Sequence, residues 1–446
     1  MIERRRFLIS AAGAAASLGF RDLPEVADAA PASQLALGAL AFAAHRLDPA
    51  ARGADTPLAY GSAAPGQVLR IKPGTDVPVT LKNAVGEATD LDWHGMRVAA
   101  ALEIIPGVSG APVPPGGEVK LMLRSPDSGT CWVHPSYVPG WSNQTTRGLA
   151  AVLVVEEPDA PSVDADLVLF LGDRLGSSGT TPADTLQVNA KAWPQTTTAR
   201  PGSRLRLRIV NGSTRQALSA AFVGAEPFVV AIDGQPSDLF RPLNDMLPLG
   251  PGTRFDVMVD LPGKAGETFS VLLRGPEMAP STPSPTAFIA RTDGTPVSER
   301  PPIHSLTPNP ALPPIIHLEH ATRIDIAAAM GPADTPGHLP TWTLNGASGI
   351  KPAAKPLFAV KRNTPVTLGF TNKGPHLAAF RLHGHVMRLL HSKDDGWEPY
   401  WRDSILVAPG VTFHAAFLAD NPGRWLIDSP FFDQAAGGFR TWFEVT

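Results

Sequence analysis

A strict alternation of apolar and polar residues occurs three times along the chain, each time directly after a turn-forming pair. The preceding pairs are Pro73-Gly74, Pro201-Gly202 and Arg362-Asn363. The alternating apolar residues are Val77, Val79 and Leu81, then Leu205, Leu207 and Ile209, then Val366, Leu368 and Phe370. Each run ends at an asparagine, at Asn83, Asn211 and Asn372. A period of two residues predicts a half-buried β-strand in each place.

Two further elements follow each of these strands in the same order. The second element is a Pro-Gly turn with another alternating run, at Pro115-Gly116, Pro251-Gly252 and Pro409-Gly410. The third begins at a glycine and soon reaches an aromatic residue, as in Gly129 with Trp132, Gly266 with Phe269, and Gly423 with Trp425. A threefold repeat of this order predicts three homologous β-sandwich domains. Proline-rich junctions place them at residues 31–158, 159–300 and 301–446.

The composition supports an all-β fold and restricts the partners. The 47 prolines and 41 glycines are spread along the chain, which is typical of many turns between short strands. The 38 basic residues nearly balance the 41 acidic residues, so the sequence predicts no nucleic-acid surface. Cys131 is the only cysteine, which excludes an internal disulfide, and we expect it to be a small buried residue.

The N-terminus has the features of an export signal. Arg4-Arg5-Arg6 precedes Phe7-Leu8, an apolar stretch follows, and Ala27-Asp28-Ala29 offers a cleavage site. The apolar stretch is too short and too rich in alanine to favour a membrane anchor. Residues 1–30 are therefore predicted to be a signal peptide, recognised by the twin-arginine translocase and removed on delivery to the periplasm.

Four segments in order resemble the multicopper oxidases. They are Asp92-Trp93-His94-Gly95, Gly129 to Ser136, Leu382-His383-Gly384-His385, and Gly423 to Gly438. The resemblance implies three Greek-key cupredoxin-like β-sandwich domains, with the first packed on the third. It also implies a blue copper site of two histidines and a cysteine, and a trinuclear copper cluster held by eight histidines.

Most of the ligand positions that this resemblance assigns carry other residues. The blue-copper positions are occupied by Ala378, Ser429, Gln434 and Phe439. Five trinuclear positions are occupied by Asp92, Ser136, Arg381, Asp428 and Pro430. The three trinuclear histidines that remain are His94, His134 and His383.

Two hypotheses describe what these residues do. Arg381 places a fixed positive charge where the family holds a cation, so we expect it to form an ion pair with Asp92 or Asp428. His94, His134 and His383 are either hydrogen-bonded interior residues or a residual site for one copper or zinc ion. The expected cofactor is thus none, or that single ion.

The resemblance then implies a periplasmic protein with degenerate copper sites, more in keeping with a scaffold than with an enzyme. The copper-free FtsP/SufI type of the family, which is associated with the cell-division machinery, is the precedent. Its partners would be periplasmic or cell-division proteins. The alternatives are a divergent copper-binding oxidoreductase and a small-molecule binder that uses the vacated cavity; fold alone does not decide among these.

Overall fold

Strands are the predominant regular structure of the described chain, and they form three sandwiches that follow one another along the sequence. The computed structural model describes residues 40–48, 56–61, 66–140, 142–176, 181–191, 193–276, 278, 281–333, 339–390 and 396–446. The predicted signal peptide, residues 1–30, lies outside these ranges. No helix within the described ranges is both long enough and apolar enough to cross a membrane.

The first sandwich consists of two four-stranded sheets, ordered β2-β1-β4-β6 and β3-β8-β7-β5. Its strands are β1 Leu40–Arg46, β2 Leu58–Tyr60, β3 Gln67–Ile71, β4 Val77–Ala84, β5 Asp92–His94, β6 Glu118–Leu123, β7 Gly129–His134 and β8 Ala151–Val155. A short 3-10 helix spans Ala100–Leu102. The apolar residues of β4 point inward in alternation, with Val77, Val79 and Leu81 buried against the opposite sheet.

The second sandwich has a six-stranded sheet, β10-β9-β12-β17-β14-β15, and a five-stranded sheet, β11-β19-β18-β13-β16. Its elements are β9 Ala165–Asp173, α1 Pro182–Thr185, β10 Leu186–Val188, β11 Gln195–Ala199, β12 Arg204–Gly212, β13 Leu218–Val223, β14 Pro227–Ile232, β15 Gln235–Phe240, a 3-10 turn Leu243–Asp245, β16 Met246–Leu249, β17 Arg254–Asp260, β18 Thr268–Arg274 and β19 Thr286–Thr292.

The third sandwich has two five-stranded sheets, β21-β20-β23-β27-β25 and β22-β29-β28-β24-β26. Its elements are β20 Thr322–Met330, β21 Trp342–Leu344, β22 Ala359–Val360, β23 Thr364–Asn372, β24 Ala378–Leu382, β25 Arg388–Leu389, β26 Ser404–Val407, β27 Thr412–Ala419, β28 Gly423–Asp428, α2 Phe432–Ala436 and β29 Arg440–Val445. The all-β prediction is confirmed, whereas the exact domain boundaries stay predictions.

Strand pairing repeats across the three sandwiches. The first strand of each pairs in parallel with the strand that follows the first turn, as β1 with β4, β9 with β12, and β20 with β23. That strand then pairs in antiparallel fashion with the one after the Pro-Gly turn, as β4 with β6, β12 with β17, and β23 with β27. The recurring order of elements in the sequence therefore corresponds to a recurring topology.

The asparagine that ends each repeat strand has one structural role in all three places. The side-chain amide of Asn83 donates to the carbonyls of Glu87 and Val113, and its Oδ1 accepts from the N–H of Val85. Asn211 and Asn372 bridge the equivalent backbone groups of their own sandwiches. Each asparagine thus satisfies buried backbone groups where the strand turns away.

The strand β12 shows how the second sandwich joins the first. Leu205, Leu207 and Ile209 enter the core of the second sandwich, whereas the intervening Arg206 and Arg208 face the other way. Both guanidinium groups are buried, and both hydrogen-bond Asp256. Arg208 also donates to the Thr130 hydroxyl of the first sandwich, at 2.9 Å. This alternation of apolar and cationic residues therefore marks a strand that is covered on both faces.

Candidate functional site

Strand register brings the predicted site residues together at the contact of the first and third sandwiches. On the first sandwich, Asp92 lies opposite His134 in the pairing of β5 with β7. On the third, Arg381 lies opposite Asp428 in the pairing of β24 with β28. Side chains from these two strand pairs, together with Glu103, form a buried group that we call the interdomain charged cluster: Asp92, Glu103, Arg381, His383 and Asp428.

A bidentate ion pair lies within this cluster. The Nη1 and Nη2 atoms of Arg381 donate to Oδ2 and Oδ1 of Asp92, both at 2.6 Å. Burial alone would raise the pKa of the Asp92 carboxyl, but the adjacent Arg381 holds that pKa well below its ordinary value. The expected pairing of Arg381 with one of the two aspartates is therefore confirmed, and Asp92 is the partner.

His383 lies between two carboxylates. Its Nδ1 is 2.7 Å from Oε1 of Glu103, and its Nε2 is 2.9 Å from Oδ1 of Asp428. Burial and the charge of Arg381 lower the pKa of His383, but Asp428 and Asp92 outweigh them and raise it to about 9. The ring is thus an imidazolium at neutral pH, and both of its N–H groups donate.

His94 and His134 form a separate, uncharged pair. Nδ1 of His94 is 3.2 Å from Nε2 of His134, and Nδ1 of His134 is 2.8 Å from the carbonyl of Pro135. Because a carbonyl only accepts, His134 carries its hydrogen on Nδ1, and His94 donates to it. Burial lowers the pKa of His134 to about 4 and that of His94 well below its ordinary value.

The three retained histidines are therefore divided between two hydrogen-bonded sets. Trp132 packs at a tilt against both rings of the neutral pair, with its ring centroid 4.1 Å from that of His134. Among the described residues, the ligand atoms that lie within 4.8 Å of one another belong to Asp92, Glu103 and His383. The sequence proposed a metal site of His94, His134 and His383, but the ligand atoms of these three residues do not come within that distance of one another. Both ring nitrogens of His383 are hydrogen-bonded to carboxylates instead.

The four positions that the resemblance assigns to blue copper form a packed and hydrogen-bonded region. The Ser429 hydroxyl donates to Oε1 of Gln434 at 2.7 Å, and Nε2 of Gln434 donates to the Leu377 carbonyl at 2.7 Å. Ala378 and Phe439 are fully buried in the core of the third sandwich. The polar side chains of Ser429 and Gln434 therefore hydrogen-bond each other and the backbone, and the apolar side chains of Ala378 and Phe439 pack in the core.

The last two predicted positions contribute little to the cluster. The backbone N–H of Ser136 donates to Oδ1 of Asp90 at 2.7 Å. Burial raises the pKa of that Asp90 carboxyl to about 7. Pro430 is buried directly after Ser429 and brings no polar side chain.

Arg254 connects the sandwiches at this junction, and no motif or repeat in the sequence singles it out. Its Nε donates to the Thr130 carbonyl of the first sandwich, at 3.0 Å, and its Nη2 donates to Asp403 of the third, at 2.6 Å. Arg254 itself lies on β17 of the second sandwich and is completely buried. One side chain therefore joins all three sandwiches. Glu103 was missed for a similar reason, since an acid in a loop carries no signal of a distant histidine partner.

Cys131 is buried in the core of the first sandwich, as expected. Its Sγ lies 3.3 Å from the carbonyl of Gly95. Burial raises the pKa of the thiol to about 12, so the reactive thiolate is absent at neutral pH.

Comparisons with known proteins cover nearly all of the described chain. Three family models, each described as multicopper oxidase, match residues 45–160, 156–294 and 317–445. The multicopper oxidase MmcO of Mycobacterium tuberculosis is 25% identical over 423 residues, which cover 83% of this chain and 79% of that protein. The multicopper oxidase mco of Staphylococcus haemolyticus is 29% identical over 234 residues, covering 48% of this chain and 51% of that protein.

Solved structures of the same kind share the fold. A multicopper oxidase from Pseudomonas thermotolerans superposes with a TM-score of 0.75 at 24% identity, covering 91% of this chain and 98% of that one. One from Pseudomonas parafulva gives a TM-score of 0.74 at 24% identity, covering 91% and 100%. The prediction of three cupredoxin-like sandwiches is thereby confirmed.

Proposed function

The chain belongs to the multicopper oxidase family, and from that premise we propose that it is a member without oxidase activity that works as a periplasmic scaffold. The twin-arginine pattern Arg4-Arg5-Arg6-Phe7-Leu8 supports export by the twin-arginine translocase. The envelope or the cell-division machinery would then supply its partners. Each part of this proposal has its own support and its own test.

The single observation that carries the loss of oxidase activity is the ion pair of Arg381 with Asp92. Arg381 stands at a position that the family resemblance assigns to a trinuclear copper ligand, and its guanidinium cannot lose a proton to become one. A copper ion there would lie beside a fixed positive charge, which repels it. His383, a second family ligand position, carries another positive charge between Glu103 and Asp428.

The electron-entry site supports the same conclusion. A blue copper centre needs a thiolate and imidazoles, which are the donors that suit copper. The four positions that correspond to it supply a hydroxyl, a carboxamide, a methyl group and a phenyl ring, from Ser429, Gln434, Ala378 and Phe439. This donor set does not fit copper, so we derive no electron-transfer step through it.

Copper loading of the exported, mature protein tests this part. We expect less than one copper per chain, no intense visible absorption of a cysteine-ligated centre, and no oxygen consumption with phenols or ferrous iron. A copper-replete multicopper oxidase treated in parallel is the positive control. A blue band, or copper-dependent oxidation of phenols or ferrous iron by the wild-type protein, would overturn the proposal.

An exposed apolar patch on the second sandwich supports a binding role. Val223, Leu243 and Met246 are 54%, 83% and 42% exposed, and the register of β13 with β16 places them at the same end of that strand pair. The ion pairs of Arg241 with Glu226 and Asp245 lie beside them. Apolar patches with a polar rim are common at protein interfaces.

Deletion of the gene in its native host tests the scaffold role. We expect an envelope or division defect under stress that the wild-type protein rescues and Leu243→Asp does not. Leu339→Asp, at another exposed leucine, serves as the control. A deletion strain without any defect, in normal growth and under envelope stress, would argue against the scaffold.

The second candidate function is a divergent copper-binding oxidoreductase with a single ion. The observation that favours it is the close approach of Asp92, Glu103 and His383, whose ligand atoms lie within 4.8 Å of one another. Such an ion would have to displace the N–H of His383 and compete with Arg381 for Asp92. Calorimetric titration with Cu²⁺ tests whether the ion binds, and copper-dependent oxidation of a phenol that is lost in His383→Gln would favour the alternative.

A further inference from the structure

One ring nitrogen of His94 has no protein partner. Burial lowers the pKa of His94 and keeps the ring neutral. Because Nδ1 donates to His134, Nε2 carries a lone pair and can only accept a hydrogen bond. The side chain is completely buried, and no donor among the described residues bonds Nε2. Native proteins rarely leave a buried acceptor unpaired, because it has given up its bond to water.

A second unpaired acceptor faces this nitrogen from the third sandwich. Oδ1 of Asp403 lies 3.8 Å from Nε2 of His94, which is too far for a hydrogen bond. The other oxygen, Oδ2, accepts from Nη2 of Arg254 at 2.6 Å, whereas Oδ1 accepts from no donor in the described parts of the chain. Two buried acceptors thus face each other across the contact of the first and third sandwiches, and neither can donate to the other.

Two neighbouring polar groups are unpaired as well. The indole N–H of Trp132, whose ring centroid is 5.2 Å from that of His94, has no acceptor among the described residues. The hydroxyl of Ser404, which directly follows Asp403, is buried and equally without a partner there. Several unpaired groups at one interdomain contact indicate a site that holds a small polar molecule, since an isolated packing defect would affect only one of them.

The geometry restricts what this molecule can be. An oxygen about 2.8 Å from both acceptors fits a separation of 3.8 Å, and it must donate a hydrogen to each of them. Zinc and copper ions usually take three or four protein ligands, but His94 and Asp403 belong to no group of three ligand residues within the described ranges. The guanidinium of Arg254 on the same carboxylate also opposes a second cation.

We propose that one water molecule is bound between the first and third sandwiches, donating one hydrogen to Nε2 of His94 and the other to Oδ1 of Asp403. Water is neutral and has the two donors that this pair of acceptors needs. It joins the two sandwiches through a histidine that the family resemblance assigns to trinuclear copper. The site shares no residue with the interdomain charged cluster, and it is independent of the scaffold role.

A high-resolution crystal structure of the mature wild-type protein tests the site, with data collected above the copper and zinc absorption edges. We expect one density peak about 2.6–3.2 Å from both Nε2 of His94 and Oδ1 of Asp403, without anomalous signal. A peak with the anomalous signal of copper or zinc would overturn the proposal. So would the lack of a peak, or a direct hydrogen bond between the two side chains.

Nitrogen-15 spectra of the histidine rings test the direction of the hydrogen bonds in solution. We expect His94 to carry its hydrogen on Nδ1 and to show an unprotonated, hydrogen-bonded Nε2. The His94 signals are identified by their loss in His94→Phe. A hydrogen on Nε2 would contradict the proposal, because the ring would then be a donor toward Asp403.

Oxygen-17 relaxation dispersion counts the long-lived internal waters. His94→Phe keeps an aromatic ring but removes the acceptor, so the count should fall by one water molecule. His385→Phe is the matched control, because Nε2 of that buried histidine already accepts from the backbone N–H of Asn421, and its count should not change. An unchanged count in folded His94→Phe would refute the site. If that variant does not fold, the wild-type crystal structure decides.

Discussion

The imidazole of His94 lies directly against the Cα of Gly252, so that a Cβ on this glycine would overlap the ring. The contact joins the first sandwich to the Pro-Gly turn of the second. Gly252 has a φ of +79°, and the equivalent turn glycines of the other sandwiches, Gly116 and Gly410, have φ of +77° and +75°. Only at Gly252, among these three, does another side chain approach the position of the missing Cβ.

This difference gives a controlled prediction for three alanine variants. Gly116→Ala and Gly410→Ala should each cost about 1 kcal/mol of unfolding free energy, because alanine tolerates a positive φ poorly. Gly252→Ala carries the same backbone cost plus about 1–3 kcal/mol for crowding a packed interface. Urea denaturation of the three variants measures the difference. Equal losses of unfolding free energy at all three positions would mean that His94 can move away from a new Cβ without cost.

Removing one partner of the Arg381–Asp92 ion pair should strongly destabilise the folded protein. Arg381→Met leaves the Asp92 carboxylate buried and unpaired, which costs about 3–5 kcal/mol. The double variant Arg381→Met with Asp92→Leu removes both charges and should recover much of that loss. Arg241→Met, at an exposed surface pair, is the control and should cost far less, because solvent screens that pair. Denaturant titration at neutral pH gives all three values.

The pKa of His383 predicts a dependence of stability on pH. Because the folded-state pKa is raised from 6.5 to about 9, the stabilisation is complete below pH 6.5 and is lost as the pH rises toward 9. One proton contributes a slope of up to about 1.4 kcal/mol per pH unit in that window. His383→Gln should flatten this slope.

His385 is a matched control for that experiment. It is equally buried and only two residues away, but burial lowers its pKa to about 3, so it stays neutral throughout the window. His385→Gln should therefore keep the slope between pH 6.5 and 9. A slope that survives in His383→Gln would show that another group carries the proton.

Removing the Arg254 side chain should weaken the contacts among all three sandwiches. Arg254→Met removes its bonds to Thr130 and Asp403 and leaves the latter carboxylate buried without a cation, which costs about 3–5 kcal/mol. Hydrogen exchange should speed up in β7 and in the loop that carries Asp403. Arg424→Met, at a half-exposed pair with Glu444, should leave both segments protected. Protection unchanged in Arg254→Met would contradict this role.

The sequence predicted the framework well because its signals are local. The repeat strands predicted from Val77, Leu205 and Val366 are all present, since period-two alternation depends only on which side of a strand faces the core. The shared role of Asn83, Asn211 and Asn372 was visible as a recurring residue but not as a hydrogen-bond pattern. A local sequence pattern therefore predicts where a strand lies. It does not predict which groups the residue at the end of that strand will hydrogen-bond.

The candidate site was predicted only in part because its contacts join distant segments. Arg381 was expected to meet an aspartate, since a buried charge needs a partner. Nothing in the sequence distinguishes Asp92 from Asp428 as that partner, or indicates that Glu103 and Asp428 share His383. The division of the three histidines into a neutral pair and a cation depends on this choice of partners, and therefore on tertiary structure.

The buried thiol of Cys131 is a natural probe of how often the surrounding structure opens. The sulfur lies in the core of the first sandwich and contacts Gly95, directly beside the Gly252 and Arg254 junction. A thiol reagent can modify it only when this region opens, so the modification rate reports how often the sandwiches separate or the first one unfolds. Because it is the chain's sole cysteine, the label needs no background correction. The Gly252 and Arg254 variants can thus be ranked by their rate of opening as well as by their free energy of unfolding.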